Sequence, residues 1–229
     1  MAQSDLSNSS KFGFIFDLDG TLVNSAGQIS RAVNKTLEGR GKMPRPEAEI
    51  LKHIGLPAFT LFNHLALTES ESAEMVSEFR FQLSIEINES NVAFEDALRF
   101  VHKLKSENRF VGVATSKPTE LAKLVIKNSD YQDLVDHVIG IGVHEPKPNP
   151  GMINEILTKF NLMGGVMFGD RPEDMSAALS AGINAIGIAQ STFTAEELLQ
   201  IGAKRAFNNF SELMLDFENS GAETIDYFS

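Results

Sequence analysis

Two aspartates end the first apolar run of the chain. Residues 12–16 are apolar around one glycine, Asp17 follows directly, and Asp19 comes two positions later beside Gly20. A single segment of this kind is commonly a turn, because Asp and Gly both favour turn conformations. Two like charges at the end of a buried strand are costly, however, unless a cation compensates them or one takes up a proton. For this segment alone a turn is the favoured interpretation, and only its occurrence together with the polar residues further along the chain favours a carboxylate site that binds a cation.

Other polar residues follow apolar runs further along the chain. Thr115 ends the run 110–114, Asp170 follows the run 166–168, and Asp174 comes one helical turn later. In an open parallel sheet, ligands bind beyond the carboxyl ends of the strands, so Asp17, Asp19, Thr115 and Asp170 are expected to converge there. Asp174 by itself also fits a helix start, where an acid complements the helix dipole. Oxygen donors without His or Cys favour Mg²⁺ over Zn²⁺. A carboxylate beside such an ion can attack phosphorus and form an aspartyl phosphate.

The elements that position these residues are short apolar runs separated by helical patterns. Continuous rather than alternating apolarity is typical of strands buried on both faces, as in a parallel sheet. The alternation of strand and helix predicts an α/β fold with a doubly wound parallel sheet. The predicted strands are residues 12–16, 110–114, 166–168 and 185–188, with a weaker one near 137–139.

Residues 25–89 interrupt this alternation, because they carry helical stripes and no convincing strand pattern. The stripes are Ile29, Val33 and Leu37, and then Met75, Phe79 and Leu83. They predict a small helical module inserted at 25–89 and an α/β core formed by 11–24 and 90–229. Residues 1–10 are polar, and we expect them to be a disordered lead-in.

The composition excludes several classes of protein. The chain of 229 residues has a formal net charge of -11, and its longest basic run is Lys204-Arg205, so a nucleic-acid partner is not expected. The absence of cysteine excludes disulfides and Cys-ligated zinc. No apolar stretch approaches about 18 residues and the polar N-terminus lacks a signal-peptide core, so no membrane partner is expected. The expected location is the cytoplasm, and the expected state is a monomer or a homodimer.

The chain resembles phosphatases of the haloacid dehalogenase superfamily, and more narrowly the phosphoglycolate phosphatase branch. Four signature segments occur in the family order: Asp17-Leu18-Asp19-Gly20-Thr21-Leu22, Val113-Ala114-Thr115-Ser116-Lys117, Lys147-Pro148-Asn149-Pro150 and Gly169-Asp170-Arg171-Pro172-Glu173-Asp174. The first and fourth are highly specific, and the likeness extends over nearly the whole chain. It implies a Rossmann-like core with the cap at 25–89, in which residues 53–57 resemble the substrate-facing loop.

The resemblance implies a role for each residue that takes part in the chemistry. Asp17 is the nucleophile, and Asp19 is the general acid for the leaving oxygen and then the base that activates water. Lys147 neutralises charge between the nucleophile and the phosphate. The implied cofactor is Mg²⁺. Its implied ligands are Asp17, Asp19 through its main-chain carbonyl, Asp170 and Asp174, the last either directly or as a support for the others.

The same resemblance assigns the residues that bind phosphate and substrate. The phosphate-binding residues are Gly20, Thr21, Thr115, Ser116 and Lys147. Arg171 departs from the family pattern, in which a small residue commonly follows the metal-binding acid. We expect its side chain either to be exposed to solvent or to grip an anionic group of the substrate, as guanidinium groups do. Asn24 stands where many relatives have Asp, but it lies off the core chemistry.

The predicted function is a Mg²⁺-dependent phosphomonoesterase that hydrolyses a small phosphorylated metabolite, 2-phosphoglycolate being one candidate. A phosphosugar mutase or a pyrophosphatase on the same core stays open. The dehalogenase branch is disfavoured, because it normally lacks the acid pair Asp170 and Asp174. A non-catalytic, phospho-accepting signalling module is disfavoured by the Asp-x-Asp-Gly-Thr segment and by the cap.

Overall fold

The computed structural model of the protein describes residues 11–229, apart from Ala66, Asn91 and Val143. The predicted lead-in, residues 1–10, lies outside the described residues. The strands are β1 (Phe12–Phe16), β2 (Phe110–Pro118), β3 (His137–Ile141), β4 (Gly164–Gly169), β5 (Asn184–Ile188) and β6 (Arg205–Phe207). The helices are α1 (Ala26–Gly39), α2 (Glu47–Leu51), α3 (Ala58–His64), α4 (Glu69–Glu89), α5 (Glu95–Ser106), α6 (Thr119–Lys127), α7 (Gly151–Lys159), α8 (Pro172–Ser180), α9 (Ala195–Ile201), α10 (Phe210–Ser220) and α11 (Thr224–Phe228).

The six strands form one parallel sheet in the order β3-β2-β1-β4-β5-β6. β1 lies inside the sheet, where Ile15 is paired with Gly112 of β2 on one side and with Met167 of β4 on the other. The strand order reverses between β1 and β4, and such a switch point is where open α/β sheets bind ligands. The predicted doubly wound parallel sheet is therefore confirmed, and the carboxyl ends of β2, β1 and β4 lie side by side.

Apolar side chains cover both faces of this sheet. Phe14 and Phe16 of β1 are buried on one face, and the Phe16 ring stacks on Phe168 with the ring centroids 4.7 Å apart. Ile15 points to the opposite face and belongs to a second buried cluster with Met167. Successive residues of a strand point to opposite faces, so burial on both faces explains the continuous apolar runs.

Helices α1 to α4 occupy residues 25–89, which we call the cap segment. The predicted stripes are buried, as Ile29 and Val33 of α1 and Met75 and Leu83 of α4 show. These side chains belong to one hydrophobic cluster, so α1 and α4 pack against each other along their apolar faces. The apolar faces of α1 and α4 therefore form the interior of the cap segment, and this interior is continuous with the hydrophobic cluster of the sheet.

Two short connections join the cap segment to the sheet, and they pair with each other. Asn24 N donates to Val92 O at 2.7 Å, and Phe94 N donates to Leu22 O at 2.9 Å. These hydrogen bonds satisfy main-chain groups outside the regular elements. The cap segment therefore enters and leaves the core at one place, directly beyond the end of β1.

The structure differs from the predictions at two strands. β2 extends to Pro118, beyond the predicted end at residue 114. The extension was not predicted because Ser116 and Lys117 are polar, although both are buried. β6, Arg205–Phe207, was not predicted, since three residues are too few to show a periodic pattern. Among the helices of the described residues, none has the length and apolarity needed to cross a bilayer.

Candidate active site

The turn after β1 is shaped by close packing around Gly20. Gly20 has a φ of +86°, and a Cβ added there would lie 2.5 Å from Asp170 Oδ2. A larger residue would therefore strain the backbone and displace a carboxylate. The turn closes through Leu22 N, which donates to Leu18 O at 3.0 Å. It places Asp17 at the switch point of the sheet.

Three buried aspartates from separate parts of the chain form a cluster at this point. Asp17, Asp170 and Asp174 each contribute one carboxylate oxygen, and these oxygens lie within 4.8 Å of one another. A Cβ at Gly169 would overlap the carboxyl group of Asp174, so the glycine at the end of β4 makes room for the third acid. The structure thus brings together the side chains that the sequence predicts as metal ligands from β1, β4 and α8.

Two hydroxyl groups orient Asp170 within the cluster. Thr21 Oγ1 donates to Asp170 Oδ1 at 3.0 Å, and Ser191 Oγ donates to Asp170 Oδ2. The hydroxyl of Thr21 therefore contacts an acid, while its predicted contact with phosphate stays a prediction. Ser191 was missed by the sequence analysis, because it lies in the loop after β5 and outside every recognised motif.

Lys147 compensates part of the negative charge of the cluster. Its Nζ lies 2.6 Å from Asp17 Oδ1 and 2.5 Å from Asp174 Oδ1, and it donates to Ala114 O at 3.0 Å. Burial works against the charged ammonium, but the carboxylates of Asp17 and Asp174 outweigh it and raise the pKa of Lys147. Lys147 is therefore a buried cation in direct contact with the predicted nucleophile.

The cluster nevertheless carries more negative charge than one lysine neutralises. Burial, followed by the charges of Asp174 and Asp17, raises the pKa of Asp170 to about 8. Burial also raises the pKa of Asp174 to about 6, although the ammonium of Lys147 acts in the opposite direction. An added cation stabilises the ionised form of such carboxylates. The oxygen-only donor set and its excess negative charge therefore fit a hard divalent ion such as Mg²⁺.

Asp19 lies apart from the three-acid cluster and pairs with a lysine. Lys117 Nζ lies 3.0 Å from Asp19 Oδ2, and both side chains are buried. The other carboxylate oxygen, Oδ1, is buried without a hydrogen-bond partner among the described residues. An unpaired buried acceptor is costly, so its position fits an atom that exchanges a proton with a bound group. The predicted metal contact through the main-chain carbonyl of Asp19 stays a prediction.

Lys117 is a functional candidate that belongs to the second signature segment but received no role from the sequence. It lies where the register of β2 against β3 shifts, between Thr115 and Pro118. Gly140 of β3 packs directly on its main chain, because a Cβ there would overlap Lys117 O. The signal in the sequence was weak, since a lysine before Pro118 is more commonly a solvated residue at the start of a helix.

A cavity lies over Asp17 and Asp19, between the sheet and the cap segment. It is partly open to solvent and is lined by side chains of both parts of the chain. Thr115 and Ser116 line the cavity beside the two aspartates, where the sequence analysis expects phosphate-binding groups. On the side of the cap segment, residues 54–56 line it as well, and they belong to the predicted substrate-facing loop.

Comparison with protein families identifies the chain. A family model described as haloacid dehalogenase-like hydrolase matches residues 14–188. The chain belongs to this family. The match spans all four signature segments and the cap segment, so the predicted family and the predicted hydrolase class are confirmed.

Curated relatives and a solved structure agree with this assignment. The chain is 26% identical over 220 residues to a phosphoglycolate phosphatase from Colwellia psychrerythraea, covering 89% of this chain and 96% of the relative. It is 30% identical over 187 residues to a phosphoglycolate phosphatase from Mannheimia succiniciproducens, covering 76% of this chain and 83% of the relative. A haloacid dehalogenase-like hydrolase from Streptococcus pneumoniae superposes with a TM-score of 0.80 at 25% identity, covering 91% of this chain and 99% of that one.

In this haloacid dehalogenase-like hydrolase, Arg171 connects the core to the cap segment. Its Nη1 donates to Ile54 O at 2.7 Å, and its Nε lies 3.2 Å from Glu173 Oε2. A Cβ at Gly55 would lie 2.5 Å from Arg171 Cδ, so the cap loop packs tightly on this side chain. Arg171 is buried, so the expectation of an exposed side chain is wrong. It is not among the described residues that line the cavity, and its contact with a substrate anion stays a prediction.

Replacing Arg171 by alanine is expected to raise KM by about 3- to 10-fold for phosphomonoesters with and without a carboxylate alike, because the cap loop loses its hydrogen bond to the core. Steady-state kinetics with 2-phosphoglycolate and with ethyl phosphate would measure this. Arg99→Ala, which removes an exposed ion pair with Glu95, is the matched control. A rise in KM confined to 2-phosphoglycolate would show instead that Arg171 grips the substrate carboxylate.

Proposed function

We propose that this hydrolase is a Mg²⁺-dependent phosphomonoesterase that acts through an aspartyl phosphate. The observation that supports it most directly is the position of Asp17. Its carboxylate belongs to the acid cluster, lies 2.6 Å from Lys147 Nζ and lines the cavity. A carboxylate nucleophile needs charge compensation, a held orientation and access to the substrate, and Asp17 has all three.

The first proposed step transfers the phosphoryl group to Asp17. An oxygen of the Asp17 carboxylate attacks phosphorus, and the ester P–O bond breaks as the new P–O bond forms. Asp19 donates its proton to the leaving oxygen, which departs as an alcohol. In the second step, Asp19 takes a proton from water while the water oxygen attacks phosphorus. The bond between Asp17 and phosphorus then breaks and releases inorganic phosphate.

Other residues of the chain stabilise the charge that moves in these steps. The ammonium of Lys147 stabilises negative charge between the nucleophile and the phosphoryl oxygens. The Thr115 hydroxyl and the main-chain N–H of Ser116 donate hydrogen bonds to those oxygens, and Gly20 and Thr21 form the adjoining turn. Positioning and charge stabilisation of this kind are the main tasks in phosphoryl transfer.

Asp17, Asp170 and Asp174 are the residues that would hold Mg²⁺, together with the main-chain carbonyl of Asp19. The bound ion would compensate the charge of the carboxylates and of the phosphate oxygens. The hydroxyl groups that orient Asp170 support this assignment, because orienting contacts commonly hold metal ligands in place.

The proposed substrate is a small phosphorylated metabolite, with 2-phosphoglycolate as the first candidate. The relatives from Colwellia psychrerythraea and Mannheimia succiniciproducens, both named phosphoglycolate phosphatase, support this choice. We propose that residues 25–89 act as a cap over a core of residues 11–24 and 90–229, excluding water during turnover. We also propose the cytoplasm as the location and a monomer or homodimer as the working state, with no nucleic-acid partner.

Hydrolysis of p-nitrophenyl phosphate tests the proposal. We expect steady release of phosphate with Mg²⁺, loss of turnover with EDTA, and recovery when Mg²⁺ is added back. Mg²⁺ is also expected to raise the Tm of the unmodified protein but not that of Asp170→Asn, because a ligand that binds only the folded state stabilises it. Turnover that EDTA leaves unchanged would contradict the proposal. With a sugar phosphate as the substrate instead, formation of an isomeric phosphate ester with little free phosphate would identify a mutase.

A further inference from the structure

Arg80 of α4 lines the same cavity as Asp17 and Thr115. It shares this wall with Phe79 and Leu83 of the same helix, which are buried. Residues three or four positions apart lie on the same side of a helix, so α4 turns one face towards the cavity. Arg80 is the exposed, charged member of that face. The cap segment therefore contributes an arginine to the lining of the cavity that also contains the predicted nucleophile.

The remaining arginines of the cap segment are all paired with acids. These pairs are Arg31 with Glu86 at 2.6 Å, Arg40 with Glu74 at 3.0 Å and Arg45 with Glu49 at 4.0 Å. Arg80, in contrast, has no ion pair or hydrogen bond with any of the described residues. In a protein with a formal net charge of -11, an arginine left without an acid at a cavity wall is available for an external anion.

The other cations near the nucleophile are already engaged. Lys117 lies 3.0 Å from Asp19 Oδ2, and Lys147 contacts both Asp17 and Asp174. The wall around Arg80 is otherwise largely apolar. Its apolar members include Ile29, Leu61, Phe79 and Leu83. The lining of the cavity thus combines two acids and one lysine, which are paired or predicted to act on a phosphoryl group, with apolar residues and one unpaired arginine.

We propose that Arg80 determines substrate specificity by binding a carboxylate at the end of the substrate remote from the phosphoryl group. The inference rests on the proposed phosphomonoesterase function and narrows its substrates to small phosphomonoesters that carry a carboxylate. A planar guanidinium matches a carboxylate with two parallel hydrogen bonds. One guanidinium also balances the single charge of a carboxylate, whereas a second phosphate would need a further cation, and the nearby lysines are engaged.

A matched pair of substrates tests this inference. 2-Phosphoglycolate carries the carboxylate, and ethylene glycol monophosphate replaces it with a neutral hydroxymethyl group of similar size. Arg80→Ala is expected to lower kcat/KM for 2-phosphoglycolate by about 10- to 100-fold, mainly by raising KM. It should change kcat/KM for ethylene glycol monophosphate, which lacks the carboxylate, by less than about 2-fold. Arg80→Lys should recover part of the lost kcat/KM, because lysine restores the positive charge but cannot form the two parallel hydrogen bonds of a guanidinium group.

Binding to an inactive background gives a second measurement that needs no turnover. In Asp17→Asn, Arg80→Ala is expected to raise the Kd of 2-phosphoglycolate, measured by calorimetry, by at least about 10-fold. Arg40→Ala, which removes the ion pair with Glu74 outside the cavity, is the control and should leave kcat/KM and Kd unchanged for both substrates.

Equal losses of kcat/KM for both esters, or no loss for either, would overturn the role of Arg80 while leaving the phosphatase proposal intact. Absence of turnover of every ester by the unmodified protein would reject both. If the unmodified protein prefers bisphosphates and Arg80→Ala abolishes that preference, Arg80 binds a second phosphate, and the proposal that it binds a carboxylate is rejected.

Discussion

Asp17→Asn is expected to lower kcat for p-nitrophenyl phosphate on the order of 10⁴-fold or more. The carboxamide oxygen is a far weaker nucleophile than a carboxylate, and losing the attacking group removes the covalent route altogether. The variant also loses one of the three carboxylates of the acid cluster, and with it the negative charge that lies 2.6 Å from Lys147 Nζ. Its kcat should therefore fall far more than its affinity for the substrate.

Rapid acid quenching during turnover would detect the covalent step directly. The unmodified protein should gain the mass of one phosphoryl group on the peptide that contains Asp17, and Asp17→Asn should gain none. Asp133→Asn, at an exposed position far along the chain, is the matched control and should keep full activity. Retention of more than about a tenth of the activity by Asp17→Asn would contradict the proposed nucleophile.

Lys147→Met is expected to reduce both activity and stability strongly. Methionine keeps much of the apolar stem of lysine but leaves the carboxylates of Asp17 and Asp174 without their shared cation. Removing one partner from a buried ion pair typically costs about 3–5 kcal/mol of stability. The raised pKa of Lys147 means that its stabilising contribution is complete below the unfolded value of 10.5 and is lost only as pH rises through the higher folded value. The loss should therefore appear in full at pH 7.

Denaturant unfolding at pH 7 without added metal would measure this loss of stability. Lys123→Met provides the control, because Lys123 forms an exposed ion pair with Glu120 and should contribute less than about 1 kcal/mol. Addition of Mg²⁺ should restore part of the stability of Lys147→Met, since the ion compensates the same carboxylates. We expect kcat to stay at least about 100-fold low in the presence of Mg²⁺, because the phosphoryl oxygens still lack the ammonium. Unchanged stability in both conditions would contradict the role of Lys147 as a compensating cation.

Strand prediction succeeded where burial left a simple pattern. The run 12–16 predicts β1 with its observed bounds, and the runs 166–168 and 185–188 locate β4 and β5 to within two residues. These strands are buried on both faces, so nearly every position is apolar. The end of β2 was missed because its last residues are polar although they are buried at the site. β6 was missed because three residues are too few to show a run of apolar positions.

The composition of the acid cluster could also be predicted from the sequence. Once β1 and β4 are placed in a parallel sheet, the residues after them must meet at one edge. This rule groups Asp17 with Asp170, but it also includes Asp19, whose side chain pairs with Lys117 instead. Asp174 was added only by the family resemblance. Oxygen-only donors then favour Mg²⁺ without knowledge of any distance.

The sequence by itself thus determined the parallel sheet, the grouping of the acids and the family of the protein. Only the tertiary structure decided how polar side chains pair across the chain: Lys117 with Asp19, Ser191 with Asp170, and Arg171 with the cap loop. The physical reason is that burial patterns repeat along local elements, whereas the direction of a single polar side chain depends on bulges, loops and packing between distant segments. The unpaired state of Arg80 has the same origin, because it depends on where the acids of the whole fold lie.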